Sequence, residues 1–111
     1  MTSPALILQQ PSGPVRQLVL LFHGYSADEE QMRPLGERLA TEYPHALVVS
    51  LRASQPTAFG AGYQWFAIDA VDDEKRVDRV AAVMPEVVAA VRHWQQLAQV
   101  GIDISLRKVD P

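Results

Sequence analysis

The spacing of apolar and polar residues divides the chain into alternating strand-like and helix-like stretches. Ala5–Gln9 reads as a short strand, and the turn cluster Pro11, Ser12, Gly13 and Pro14 separates it from Leu18-Val19-Leu20-Leu21-Phe22. That second run has no polar alternation. It predicts a strand covered on both faces, as in a mostly parallel sheet with flanking helices, and marks residues 18–22 as the most deeply buried strand. His23-Gly24-Tyr25-Ser26 follows as a glycine turn, and Asp28 is placed to cap a helix, with Gln31 in the third position of a capping box. In that helix Met32, Leu35, Leu39, Ala40 and Tyr43 share one face, while Glu29, Glu30, Arg33, Glu37 and Arg38 fall off it. Pro34 lies in the first turns, where it is tolerated, and Pro44 ends the element. Ala46–Leu51 is a second buried run, predicted to pair in parallel beside the first.

Residues 52–69 show no period. Pro56, Gly60 and Gly62 are scattered there among Phe59, Tyr63, Trp65 and Phe66, the composition of a long aromatic loop with a functional role. Asp72 and Asp73 then open the longest periodic segment. Its predicted core face is Val77, Val80, Ala81, Met84, Val87, Val88, Val91, Trp94 and Ala98. Pro85 inside it removes a backbone hydrogen bond and predicts a kink costing about 3 kcal/mol, or two shorter helices meeting near Met84. Gly101 ends the segment, and residues 102–111 carry only a weak alternating remnant. Strand, glycine turn, helix, strand, loop, helix is the order of an α/β sheet with right-handed crossovers.

Composition narrows the function classes. With 111 residues the chain holds one domain and one modest core, short for an enzyme built on a wide sheet covered on both faces. Ten Lys and Arg against thirteen Asp and Glu, never clustered beyond pairs such as Arg107 and Lys108, offer nothing to nucleic acid or to anionic lipid. There is no cysteine, so disulfides, thiolate metal sites and a cysteine nucleophile are excluded, and a cytoplasmic setting is expected. The first eight residues have no cationic segment ahead of their brief apolar stretch, and no apolar run approaches a membrane span, so neither secretion nor insertion is signalled.

The sharpest local signal is Leu20-Leu21-Phe22-His23-Gly24-Tyr25, an apolar strand ending in His-Gly at a helix start. Glycine there allows a tight turn that points the next amide, that of Tyr25, into the crevice above the strand's carboxyl end, where it can stabilise an oxyanion. On these residues alone the favoured reading is a plain strand-to-helix turn that needs glycine for its backbone angles. His23 reads as a general base, a metal ligand or a turn residue bonded to nearby backbone, the last being favoured. His45 and His93 lack the spacing of a zinc helix, so no metal and no cofactor are expected. Gln64-Trp65-Phe66 reads as the lining of an apolar acyl pocket or as a seal over the core. Asp28, Glu29 and Glu30 read as a helix start favoured by its dipole and not as a carboxylate dyad. None of Ser3, Ser12, Ser26, Ser50, Ser54 and Ser105 has the flanking glycines of a nucleophile elbow, and no nucleotide-binding glycine motif occurs.

Leu20-Leu21-Phe22-His23-Gly24, then Gln64-Trp65-Phe66 some forty residues on, then a long helix ending Val100-Gly101-Ile102, together resemble the phospholipase/carboxylesterase family, whose members include acyl-protein thioesterases and small bacterial esterases. The resemblance runs from Leu18 to Ile102. It implies a partial α/β-hydrolase fold over residues 1–111, the amino-terminal half of one domain, interrupted before the nucleophile strand. By the same resemblance the Tyr25 amide belongs to the oxyanion hole, while His23, Gly24, Trp65 and Phe66 flank the substrate, a small acyl ester or thioester. The family's serine follows the next strand, and its aspartate and histidine come later still. After Gly101 this sequence departs from that pattern, so the expectation is a chain without a catalytic triad, inactive alone. Self-association through an exposed strand edge is the alternative role that follows.

Overall fold

The computed structural model describes residues 5–57, 62–66 and 73–98. Its elements are Ala5–Gln9 (β1), Gln17–Phe22 (β2), a 3-10 turn Glu29–Met32, Arg33–Glu42 (α1), Ala46–Leu51 (β3), Gln55–Pro56 (β4), Tyr63–Gln64 (β5) and Asp73–Ala98 (α2). The two continuous apolar runs lie side by side in parallel, in register from Gln17 opposite Ala46 to Phe22 opposite Leu51. The central strand, however, is β3 and not β2. The sheet order is β1-β3-β2, with β1 antiparallel to β3, so the described sheet is mixed and not mostly parallel. A central strand is shielded on both edges as well as both faces, and every residue of β3 is buried. In β2 only Leu18, Val19, Leu20 and Leu21 are.

Alternation along these strands sorts the core into two layers, because successive side chains leave a strand on opposite faces. Val19 and Leu21 of β2 join Ala46 and Val48 of β3 beneath Ala40 of α1, with Leu8, Met32, Leu39 and Tyr43 packed around them. Leu18, Leu20, Leu47, Val49 and Leu51 face the other way, onto Trp94 and Ala98 of α2. The result is a sheet between helices. Gly36 lets α1 approach closely, since a Cβ there would collide with the Leu8 side chain and lie 3.0 Å from Leu21 Cδ1.

The first helix starts as predicted but in two steps. Asp28 Oδ1 accepts from the Glu30 and Gln31 N–H groups, at 3.0 and 3.1 Å. The turn it caps is 3-10, closed by the Arg33 N–H donating to the Glu30 carbonyl, and the α-helix proper begins at Arg33. Pro34 explains the change, because it has no N–H with which to reach back into the preceding turn.

The second helix runs unbroken from Asp73 to Ala98 with Pro85 inside it, so it is one helix and not two. Its predicted core face is only half used. Trp94 and Ala98 are buried and Ala90 and Val91 pack beside them, whereas Val77, Val80, Met84 and Val88 are 68%, 38%, 44% and 42% exposed. The lengths account for this: 26 helical residues span about 39 Å, and a six-residue strand only about 20 Å. The helix therefore outruns the described sheet by nearly half. Among the described residues no helix is long and apolar enough to cross a membrane. The readings for Phe59, Gly60, Asp72, Gly101 and residues 102–111 lie outside the described residues.

Candidate oxyanion site

At the carboxyl end of β2 the chain turns through His23, Gly24, Tyr25 and Ser26. The left-handed backbone angle of this turn falls on Ser26, with φ of 60°, and not on Gly24. Neither a left-handed backbone angle nor a close neighbour demands glycine at position 24. A Cβ built there meets nothing within 4 Å, so the residue borders open space at the crevice. Tyr25 is half exposed. The next two amides are tied down: Ser26 N–H donates to the Tyr63 carbonyl at 2.9 Å and Ala27 N–H to the Gly24 carbonyl at 3.2 Å. Among the described residues the Tyr25 N–H has no acceptor. A free amide followed by two fixed ones, beside open space, is the form an oxyanion donor takes.

The loop containing Tyr63 to Phe66 holds this turn from above. Tyr63 N–H donates to the Ala27 carbonyl, which completes a two-bond bridge between the segments. Gly62 makes the approach possible. Its φ is +97°, and a Cβ there would collide with the Ser26 backbone. Trp65 Nε1–H donates to the His23 carbonyl at 2.8 Å. Its ring packs in tilted contact on the His23 imidazole, centroids 5.4 Å apart, and on Phe22, centroids 5.3 Å apart. Trp65 and Phe66 also line a cavity of about 270 Å³, together with Gln55, Arg79, Val83 and Glu86. Trp65 thus belongs to both a cavity wall and the brace on the turn. The same side chain packs against the core cluster of Leu18, Leu20 and Trp94.

A charged pair buttresses the other side. Arg52, just past the end of β3, grips Glu29 through Nη2 to Oε2 at 2.7 Å and Nε to Oε1 at 3.0 Å. Its guanidinium also lies 4.6 Å over the Tyr63 ring. The sequence placed Glu29 among solvent-facing helix-start acids, yet it is only 8% exposed. Burial pushes its carboxyl up, but the Arg52 hydrogen bond, its own backbone N–H and the Arg52 charge outweigh that and hold it below the usual carboxylate range. The Glu29 carbonyl accepts from buried Ser50 Oγ at 2.8 Å, which fixes the start of the 3-10 turn to the central strand. Sequence reasoning missed Arg52, Ser50 and Tyr63 as parts of the site. The available signal for Arg52 was a lone cation directly after a fully apolar run, at the sheet end where such crevices open.

The structure brings His23, Gly24, Tyr25 and Trp65 into one cluster, with Phe66 beside Trp65 on the cavity. The phospholipase/carboxylesterase family model matches residues 4–106. Esterase YpfH of Escherichia coli (strain K12) is 39% identical over 95 residues, which are 86% of this chain and 41% of that protein. The crystal structure of esterase PE8 superimposes with a TM-score of 0.77 at 25% identity, covering 94% of this chain and 49% of the other. The chain therefore spans less than half the length of these two esterases. With a family match across most of its residues, and a fold shared with a solved esterase, this chain belongs to the phospholipase/carboxylesterase family of α/β-hydrolases.

Proposed function

We propose that this chain supplies the oxyanion-stabilising half of a hydrolase for carboxylic esters or thioesters, and that alone it does not turn them over. The observation that carries the reading is the unpartnered Tyr25 N–H on a turn clamped from both sides. In the complete reaction a serine attacks the acyl carbonyl, the alcohol or thiol leaves, and water releases the acid from the acyl-enzyme. The negative charge on the carbonyl oxygen in each tetrahedral intermediate is where the Tyr25 amide acts. Trp65 and Phe66, on the wall of the neighbouring cavity, are suited to an apolar acyl chain.

None of the described serines stands in an elbow. Ser50 is buried and committed to the Glu29 carbonyl, and Ser26 occupies the turn itself. Loss of nucleophile and base removes about six orders of magnitude in turnover. The purified chain is therefore expected neither to hydrolyse short acyl esters above background nor to react with a serine-directed phosphonate. Labelling at Ser26 that disappears in folded Ser26→Ala protein would overturn this. The positive test joins residues 1–100 to the part of the E. coli esterase beyond the matched region. Ester hydrolysis by this chimera supports the reading, and a cooperatively folded but inactive chimera refutes it.

A second reading, self-association, is favoured by a separate observation. Among the described residues β2 has an unpaired edge, and the exposed Val77, Val80, Met84 and Val88 lie on α2. An apolar edge strand templates pairing with another chain. Sedimentation showing a stable monomer at tens of micromolar, a range where exposed edges commonly associate, would exclude it.

A further inference from the structure

We infer that His23 is a positioning residue that aims the Tyr25 amide by holding the Gly24 carbonyl, an inference that rests on the oxyanion reading of Tyr25. The imidazole is 2% exposed and lies between two backbone groups. Its Nε2 is 3.0 Å from the Ala53 nitrogen, and its Nδ1 is 2.7 Å from the Gly24 oxygen. A backbone N–H only donates and a backbone carbonyl only accepts. Nε2 must therefore carry the lone pair and Nδ1 the proton, so the contacts select one neutral tautomer. Both nitrogens are then engaged, which leaves neither to serve as a base or a metal ligand.

The consequence for Tyr25 follows from peptide planarity. The Gly24 carbonyl and the Tyr25 N–H belong to one trans peptide unit and point in opposite directions. Fixing the carbonyl with the His23 Nδ1–H, and with the Ala27 N–H on the same oxygen, fixes the line along which the Tyr25 N–H projects. The ring that does this is itself immobilised by the tilted Trp65 ring against it, by the Trp65 indole bond to the His23 carbonyl and by Ala53, two residues past the end of the central strand. The direction of one amide is thereby referred to the most buried element of the sheet. Preorganisation of this kind lets a donor act on developing charge without reorienting during the reaction.

The test is nuclear magnetic resonance of the full chain, isotopically labelled, with three proteins compared. In the wild type, long-range proton–nitrogen correlations should show Nδ1 protonated and Nε2 bare, with a through-bond coupling from the Ala53 N–H into Nε2. The opposite tautomer, or no such coupling, overturns the inference. His23→Phe keeps the ring volume and the Trp65 contact but removes both hydrogen bonds, and should raise the mobility of the Tyr25 N–H while leaving β3 unchanged. His23→Asn restores a donor near the Nδ1 position and should recover most of the Tyr25 order. A folded His23→Phe protein whose Tyr25 amide stays as ordered as the wild type assigns His23 to packing alone. Should His23→Phe fail to fold, the wild-type tautomer and coupling still decide. None of these readouts depends on ester turnover, so failure of the hydrolase reading, seen as an inactive chimera, is distinguishable from failure of the His23 hold on the Gly24 carbonyl.

Discussion

The turn at the end of β2 and the first half of α2 are opposites in how they are supported. Around the turn, His23, Ser26, Ala27, Glu29, Arg52, Ala53, Tyr63 and Trp65 are joined by hydrogen bonds or ion pairs to residues distant in sequence. On α2, Val77 is 68% exposed, while Trp94, seventeen residues further along the same helix, is 8% exposed. The turn is complete within the described chain, whereas the helix presents a face that no described residue covers. Local polar networks close on themselves, but an apolar stripe is finished only by another layer of protein.

The comparison can be broken most severely at the covered end of α2. Trp94→Ala should cost about 3–5 kcal/mol, enough to unfold much of the population of so small a domain, read as loss of the cooperative transition in urea. Gly62→Ala comes next. It forces a Cβ into the Ser26 backbone at a positive φ, and should cost about 2–3 kcal/mol, with the amide resonances of Ser26 and Tyr63 displaced first.

Arg52→Ala should cost about 1–2 kcal/mol, because it leaves a nearly buried carboxylate without its charged partner. Its pH signature sharpens the test. Since the Glu29 carboxyl is held low, the pair stabilises the fold fully above the ordinary glutamate value of about 4.3. That contribution is lost as the pH falls through the lowered value. The wild type should thus lose more stability than Arg52→Ala between about pH 7 and about pH 3, compared by urea unfolding.

The smallest change is expected on the uncovered stripe. Val77→Ser, Val80→Ser, Met84→Gln and Val88→Ser should each shift unfolding by less than about 0.5 kcal/mol, and together they should weaken any association seen by sedimentation. A large loss of stability from these four would mean that this half of α2 is covered after all.

Much of the scaffold was legible because it depends on local pattern. The runs of β2 and β3 and the Asp28 cap follow from residues within a few positions of one another, and the parallel pairing from the unbroken apolar character of both runs. The identity of the central strand did not, because β3 becomes central only when Ala5–Gln9, some forty residues earlier, pairs along its other edge. The apolar period of α2 identified a helix but carried no information on how far the sheet beneath it extends. At the site, the His-Gly motif located the turn, yet its working parts are contacts between distant residues: His23 with Ala53, Glu29 with Arg52, Ser26 with Tyr63. The left-handed angle on Ser26 had no sequence mark, because glycine two residues earlier was the obvious place to look for it.

Trp65 gives the molecule a built-in optical reporter. The chain has two tryptophans, Trp94 in the core and Trp65 between the cavity and the His23 ring. Replacing Trp94 with Phe would leave a single emitter whose one face meets whatever enters the cavity and whose N–H is anchored to the turn. Its emission wavelength then reads the dielectric of the cleft, and its anisotropy reads the rigidity of the brace, so occupancy and tension at this corner become visible as light from one side chain.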